Sequence, residues 1–391
     1  MIERLWIDYW QIHPYTVVAF LGFCLLTALG NSLFLRRLGG RNSGLTHFPF
    51  VSILVPARNE EANIETCVRS LLGQDYPAFE VTVLDDQSTD ASGVILNEIQ
   101  AQHPALKILS GQALPPGWLG KNWACQQLAM DAGGEFLLFT DADTWHAPRA
   151  LHESVAALGE EQADMLTAFP RELVISWGEK LTVPILGFMP FAFVPVFLAR
   201  LWRLPFLTVT IGQYMLFRRA AYEAVGGYER IRSHPVDDVM LGRHIASQGF
   251  KWLLVDGTDH VHCRMYRSYP SAVAGFTRTL FSFFDYHVLL YLVAWLWIGC
   301  IFLEPLLILI LNSLGMEILY FPASLAWLAV IQAVALFTLI YARFRFPVAL
   351  TALYPLSIGL FVGLAFRSLI YNVSGKHAWK DRELPRPRLR L

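Results

Sequence analysis

Asp141 and Asp143 stand one position apart at the end of an apolar run, in LLFTDADTW (137–145). Burying a carboxylate costs several kcal/mol unless it is paired or holds a metal. At i and i+2 of an extended exit from a strand, the two carboxylates can face one side, which suits a divalent cation whose other ligands are diphosphate oxygens. The same pair also reads as a strand-ending turn, since Asp favours turns. Its neighbours must separate the two readings. Asp86 closes VTVLDD, and Asp237-Asp238 opens a helix-like stretch, DDVMLGRHIAS. An acid at a helix start is favoured by capping and by the helix dipole. Beside a metal-type pair, it can also serve as a general base. One group that binds metal and another that takes a proton are what is required to move a group from a nucleoside diphosphate to a hydroxyl. His260, His262 and Cys263 also cluster, but no second cluster follows at zinc spacing, which argues against a metal there.

These residues need a scaffold, and the hydrophobic pattern supplies one. Residues 51–55 read as a strand that Pro56 should stop, followed by the polar start Asn59-Glu60-Glu61 and a helix with Ile64, Val68, Leu71 and Leu72 on one face. Strands are expected at 79–84, 106–111 and 135–140, and helices at 94–102, 120–132 and 239–247. Strands alternating with helices mean right-handed βαβ units and a largely parallel sheet, an α/β fold whose ligands sit beyond the strands' carboxyl ends.

The chain of 391 residues is 54% hydrophobic and 16% charged, against about 25% charged in soluble domains. The deficit is concentrated in four apolar runs of bilayer-spanning length, at 15–35, 287–311, 320–341 and 348–371. The expected organisation is an anchor at 1–41, an α/β domain at 48–270, an amphipathic interfacial helix at 271–286, membrane helices at 287–375 and a basic tail at 376–391. Glu3, Arg4 and Asp8 before the first run do not read as a cleaved signal. Arg36, Arg37 and Arg41 after it place the domain in the cytoplasm by the positive-inside rule, in a multi-pass protein of the cell membrane. Five scattered cysteines argue against a disulfide framework. A net charge of −1 without a basic stripe argues against nucleic acid.

Two membrane features raise a problem. Segment 181–209 is apolar enough to cross, yet Pro184, Pro190, Pro195 and Pro205 break it. A crossing there would put Asp141 and Asp238 on opposite sides, so it reads as an interfacial element beside the site, in touch with a lipid. Three C-terminal runs starting from the cytoplasm would leave the tail outside, although KHAWKDRELPRPRLRL is basic and Arg343 and Arg345 also favour the inside. Either one run is re-entrant or the tail breaks the rule. Glu304-Pro305, in mid-run, reads as a kink facing protein.

The motifs SILVPARNEE, VTVLDDQSTD, FTDAD, GGYERIRSHPVDDVMLGRHI and RMYRS, in that order, resemble a family 2 glycosyltransferase of the GT-A fold. PPGWLGKNWACQQLA and the arrangement of apolar runs resemble its membrane-bound members, the ceramide glucosyltransferase-like and carotenoid- or hopanoid-associated branches. The resemblance implies that Pro56, Arg58 and Glu60 lie against the nucleotide, that Asp86 binds the base, and that Lys121 approaches the sugar. It implies that Asp141 and Asp143 hold Mg²⁺ or Mn²⁺, with Asp141 also at the donor, and that Asp238 is the catalytic base beside Asp237. Arg264 and Arg267 occupy the place of the family's Q/R-x-x-R-W motif, near the departing diphosphate. Ser268 stands where that motif has Trp, which favours transfer of one sugar over polymer synthesis. The implied reaction is inverting transfer from a UDP-sugar, with glucose the first expectation, to a hydroxyl or carboxyl of a membrane lipid such as a carotenoid, glycerolipid or sphingolipid. The rival readings are a processive polysaccharide synthase, a non-catalytic nucleotide-sugar scaffold, and a transporter with a nucleotide-binding domain.

Overall fold

The computed structural model describes residues 2–39, 45, 47–202, 204–316, 318–374, 378–379, 382–383 and 389–390. Arg41 and most of the basic tail expected at 376–391 lie outside the described residues. The chain opens with α1 (Ile2–Phe34). The α/β domain follows as β1 (Val51–Ala57), α2 (Ile64–Leu72), β2 (Phe79–Asp85), α3 (Ser92–Gln102), β3 (Leu106–Ser110), α4 (Gly120–Asp131), β4 (Phe136–Thr140), β5 (Thr144–His146), α5 (Ala150–Glu160), β6 (Met165–Phe169) and β7 (Arg171–Glu172). Three short helices interrupt it: α6 (Trp177–Thr182), α7 (Pro184–Phe193) and α8 (Val196–Trp202). It resumes with β8 (Tyr214–Arg218), α9 (Arg219–Ala224), α10 (Gly227–Arg230), α11 (Asp237–Ser247), β9 (Trp252–Asp256) and β10 (Val261–Cys263). After α12 (Tyr269–Thr279) come the long helices α13 (Val288–Ser313), α14 (Ala323–Arg343) and α15 (Tyr354–Ser374).

Seven strands form one twisted sheet in the order β3-β2-β1-β4-β8-β6-β9, in which β8 alone runs antiparallel. Its central strands are buried, β4 (FLLFT) and β6 (MLTAF) at every position, because helices cover both faces, while the edge strand β3 is partly exposed. The expected α/β class with a mostly parallel sheet is what the chain adopts. Pro56 does not end β1, which pairs with β2 as far as Ala57. Pairing with β4 stops at Leu54, so on that flank a residue without an N–H breaks no ladder. A second sheet, β5-β10-β7, lies beyond the carboxyl ends of β4, β6 and β9 and gathers their exits into one place.

Four helices are long and apolar enough to cross a membrane, over Gln11–Phe34, Val288–Ser313, Ala323–Arg343 and Val348–Ser374. On α1, Val17, Leu21, Cys24, Ala28 and Asn31 are buried at helical spacing while Leu26 and Leu33 stay exposed, so one face packs and the other presents hydrocarbon. Segment 181–209 breaks into pieces, the longest of them α7 with ten residues. Ten residues rise about 15 Å, half of what a bilayer core needs. Ile185 and Phe188 of α7 are buried, and Phe188 stacks on Phe337 of α14 at 4.3 Å. Asn31 of α1 donates to the carbonyls of Phe191 and Val194 at 2.9 and 2.8 Å, which satisfies the end of α7 within an apolar surround.

The last apolar run does not continue away from the α/β domain. Arg343, at the end of α14, pairs with Asp256 of β9, and Arg345 pairs with Asp259. The chain then enters a short 3₁₀ turn (Val348–Leu353) and reverses into α15, whose first residue, Tyr354, lies 5.3 Å from the ring of Phe337. From there α15 runs antiparallel to α13: Phe361 stacks on Trp295, and the Ala365 carbonyl accepts from Tyr291 Oη at 3.0 Å. Ser368 Oγ accepts from the Phe281 amide, and Asn372 reaches the Thr277 carbonyl. Both ends of 345–374 therefore meet elements on the domain side of the helix bundle. α12, in the stretch expected as an interfacial helix, buries Phe276 against Phe361 of α15.

Candidate active site

The carboxyl ends of β1, β2 and β4 carry the first set of site residues. Beyond β1 and β2 the two loops are stitched together: Arg58 Nη1 donates to the carbonyl of Asp86 at 2.6 Å, Asn59 accepts from the Thr89 amide, and Ser92 Oγ accepts from the Glu60 amide. Asn59 and Gln87 hold positive φ (51° and 58°), the tight turns this stitching needs. Asp86 is buried, with Gly111 beneath it: a Cβ on Gly111 would come within 2.9 Å of Asp86 Cα. Asn59-Glu60-Glu61 is thus a turn preceding α2 rather than its cap.

Asp141 and Asp143 leave β4 through a turn, closed by Thr144 N to the Asp141 carbonyl at 3.2 Å, and not along the extended exit that the sequence led us to expect. Thr144 Oγ1 seals the same carbonyl at 2.7 Å. Within this turn one oxygen of Asp143, Oδ1, is buried without a partner among the described residues. Burial, with Asp141 and Glu60 nearby, pushes the Asp143 carboxyl up to about 7. Burial likewise raises Asp141, although Lys121 opposes the shift. Lys121, at the start of α4, sits 2.8 Å from Asp141 Oδ1 and 3.7 Å from Asp237 Oδ2. Burial alone would lower its pKa, but the two carboxylates outweigh that and hold it well above the ordinary lysine value. A buried oxygen with no donor, beside a carboxylate already answered by a cation, is a hard-oxygen site that fits Mg²⁺ or Mn²⁺.

The second set comes from α11. Asp237 accepts from Tyr228 Oη at 3.1 Å and is fixed by it. Asp238 accepts from the amides of Gly212 (2.9 Å) and Val239 (2.7 Å), so its carboxylate is aimed by backbone at the approach to β8. Burial and the Asp237 charge push its pKa up to about 7, the range a general base needs near neutrality. Lys121 thus links the β4 pair to the α11 pair in one cluster.

The arginines behave differently. Arg264 is engaged by Glu179, which is fully buried, at 3.1 Å. Arg267 reaches Asn63 Oδ1 at 2.6 Å and the Ala62 carbonyl at 2.9 Å, tying the 264–268 stretch to the loop before α2. Glu172, which the sequence reading passed over, lies after β6 much as Asp86 lies after β2. Gln213 donates to one of its oxygens at 2.7 Å, and the other, Oε2, is buried without a partner among the described residues. Burial and Asp143 push it up to about 8. An acid directly following a buried strand was the available signal.

A cavity of about 430 Å³ opens onto this cluster. Asp238, Glu172 and Gln213 line it, together with Ile185, Met189, Phe283, Trp295, Phe344 and Phe361. Its apolar wall is therefore built by α7, α13, α15 and the chain after α14.

Residues 52–226 match the family model Glycosyl transferase family 2. The chain is 41% identical over 97 residues to a beta-monoglucosyldiacylglycerol synthase of Nostoc sp., covering 24% of this chain and 20% of that one. It is 24% identical over 265 residues to the 4,4'-diaponeurosporenoate glycosyltransferase of Staphylococcus haemolyticus, covering 64% and 67%. The chain thus spans about a fifth of the first relatives it matches. Among solved structures, it superposes on the mannosyltransferase PcManGT of Pyrobaculum calidifontis, determined with GDP-Man and Mn²⁺, with a TM-score of 0.54 over 94% of this chain and 100% of that one. At 17% identity this likeness shows a shared GT-A fold alone.

Proposed function

Since residues 52–226 belong to glycosyltransferase family 2, we infer that this chain moves one sugar from a UDP-sugar, glucose foremost, to a hydroxyl or carboxyl of a membrane lipid. The observation that carries this reading is the largely apolar cavity that Asp238 lines. A water-soluble acceptor has no use for a wall of Phe, Trp and Ile side chains, whereas an acyl or isoprenoid chain does. The two curated relatives named above bear the names of lipid-glycosylating enzymes, which supports the same acceptor class.

The donor would lie over the stitched loops, with its base at Asp86 and its ribose and phosphates along Pro56, Arg58 and Glu60. Asp141 and Asp143 would hold Mg²⁺ or Mn²⁺, which would screen the charge of the leaving diphosphate. Lys121, which now pairs with Asp141, would be available to the same phosphates, and Arg267, held beside the loop before α2, would lie near them. Asp238 takes the proton of the acceptor hydroxyl. That oxygen bonds to the anomeric carbon as the bond to the diphosphate breaks, with inversion. Asp237 holds Lys121 near and raises the basicity of Asp238. Arg264, bound to Glu179, shapes the loop rather than meeting the donor directly.

For the membrane, α1, α13 and α14 would cross, and 346–374 would enter and leave on the face of the catalytic domain. That keeps Arg36, Arg37, Arg343, Arg345 and the basic tail on one side, which the positive-inside rule makes cytoplasmic.

The test uses purified protein with Mn²⁺ or Mg²⁺, a panel of UDP-sugars and a lipid extract. A lipid heavier by one hexose, made by wild type and not by Asp238→Asn, is the expected result. Tight donor binding with no product and no UDP release from any donor would leave a nucleotide-sugar-binding scaffold instead.

A further inference from the structure

The apolar cavity has a polar patch that the transfer chemistry leaves unused. Arg243 of α11 lines it, and its Nε is buried with no partner among the described residues. Thr208 and Thr210 line it too. They are 5% and 4% exposed, and neither Oγ1 has a partner among the described residues. These three groups are brought together by Gly242. A Cβ there would stand 2.3 Å from Thr210 Cγ2 and 3.0 Å from Thr208 Cγ2, so α11 approaches the 208–210 segment before β8 as closely as a glycine permits.

We propose that Arg243, Thr208 and Thr210 form a subsite for an anionic headgroup, a carboxylate or a phosphate, on the lipid that occupies the cavity. Arg243 Nε and the two hydroxyls are buried donors without an acceptor among the described residues, and leaving them unanswered is costly. The carboxylates that share the cavity do not answer them. Glu172 is bound to Gln213, and Asp238 to the amides of Gly212 and Val239. The subsite lies a few residues upstream of Gly212 and so beside the base, which orients the lipid head first. The inference rests on the lipid-glycosyltransferase reading for its purpose, but its test does not require turnover.

The full-length protein in neutral detergent is titrated with radiolabelled palmitate, palmityl phosphate and palmityl alcohol. Wild type is expected to bind at least one anion about tenfold more tightly than the alcohol, and the tighter of the two anions identifies the headgroup. Arg243→Gln should bind all three alike, Arg243→Lys should keep part of the preference, and Thr210→Val should weaken it. An unchanged melting temperature of each variant reports an intact fold. Equal binding of the three ligands by wild type would overturn the proposal, as would an undiminished preference in Arg243→Gln. A loss of UDP-sugar affinity confined to the Arg243 variants would also overturn it, because the arginine would then serve the diphosphate. Failure of the glycosylation assay alone would count against the function and not against this subsite.

Discussion

Lys121 Nζ lies 2.8 Å from Asp141 Oδ1, so a lysine already sits on the carboxylate that the metal would use. The two cations compete for one oxygen. Lys121→Met should therefore bind Mn²⁺ more tightly in the absence of donor, by about tenfold or ~1.4 kcal/mol, while turnover falls because the diphosphate loses a cation. Calorimetric titration with Mn²⁺ measures the first effect. An unchanged or weaker affinity would mean that the ammonium does not hold Asp141 in solution.

Asp238, the base in the proposed reaction, has a pKa raised to about 7 by burial and Asp237. It works only when ionised, so kcat/KM should climb with pH through about 7 and level off above it. Asp238→Asn should lose a factor of about 10²–10⁴ and, with it, that limb of the profile. A profile that stays flat from pH 5.5 to 8.5 in wild type would remove Asp238 from the role of base.

Asp143 gives a prediction with the opposite sign to an ordinary surface acid. Its folded pKa of about 7 exceeds the unfolded value of about 3.9. Between those values the folded chain binds a proton that the unfolded chain does not, so this group's contribution to stability falls as pH rises through that window. Without metal at pH 7.5, Asp143→Asn should melt about 2–4 °C higher, on the order of 1 kcal/mol. It should also lose the protection that Mn²⁺ gives wild type. A lower melting point without metal would contradict the buried, unanswered oxygen.

Gly111 supports Asp86 from below, where a Cβ would fall 2.9 Å from Asp86 Cα and 3.1 Å from the Asp85 carbonyl. Both are backbone atoms and cannot rotate away. Gly111→Ala should raise KM for the donor about tenfold with a smaller change in kcat, measured under saturating acceptor. An unaltered donor KM would place the base away from Asp86.

The path of α15 can be read with single cysteines at Leu319 and Leu389, both exposed, in a background where the native cysteines are replaced. A membrane-impermeant maleimide should label Leu389→Cys from the catalytic side and Leu319→Cys from the other. Labelling of both from one side would mean that 348–374 crosses.

Much of this was legible in the sequence because it rests on period and composition. Buried parallel strands announce themselves as unbroken apolar runs, as FLLFT does, and acids at their ends mark the cleft. What stayed hidden depends on non-local contact. The turn after β4 is set by Thr144, whose hydroxyl and amide close on Asp141, and not by any local rule for D-x-D. Pro56 reads as a stop, but whether a proline ends a strand depends on where the neighbouring strand leaves, and β4 leaves at Leu54. Arg264 is expected at the diphosphate, and its engagement by Glu179, 85 residues earlier, could not be read from local sequence. The fate of the last apolar run could not follow from hydropathy, which records thickness but not direction. Contacts such as Ser368 with Phe281 supply the direction.

The cavity beside Asp238 is walled by α7, α13, α15 and the chain after α14. If the acceptor is a membrane lipid, as proposed, it would reach a reaction centre between such helices sideways, out of the lipid sheet, and each methylene it carries favours that sheet over water by about 0.8 kcal/mol. The concentration that matters is then the acceptor's mole fraction among its neighbouring lipids. Diluting the vesicles in buffer should leave the rate per enzyme nearly untouched at saturating UDP-sugar. Diluting the acceptor with inert phospholipid at constant total volume should slow it in proportion. The kinetics would obey a two-dimensional law of mass action on the acceptor and an ordinary three-dimensional one on the donor.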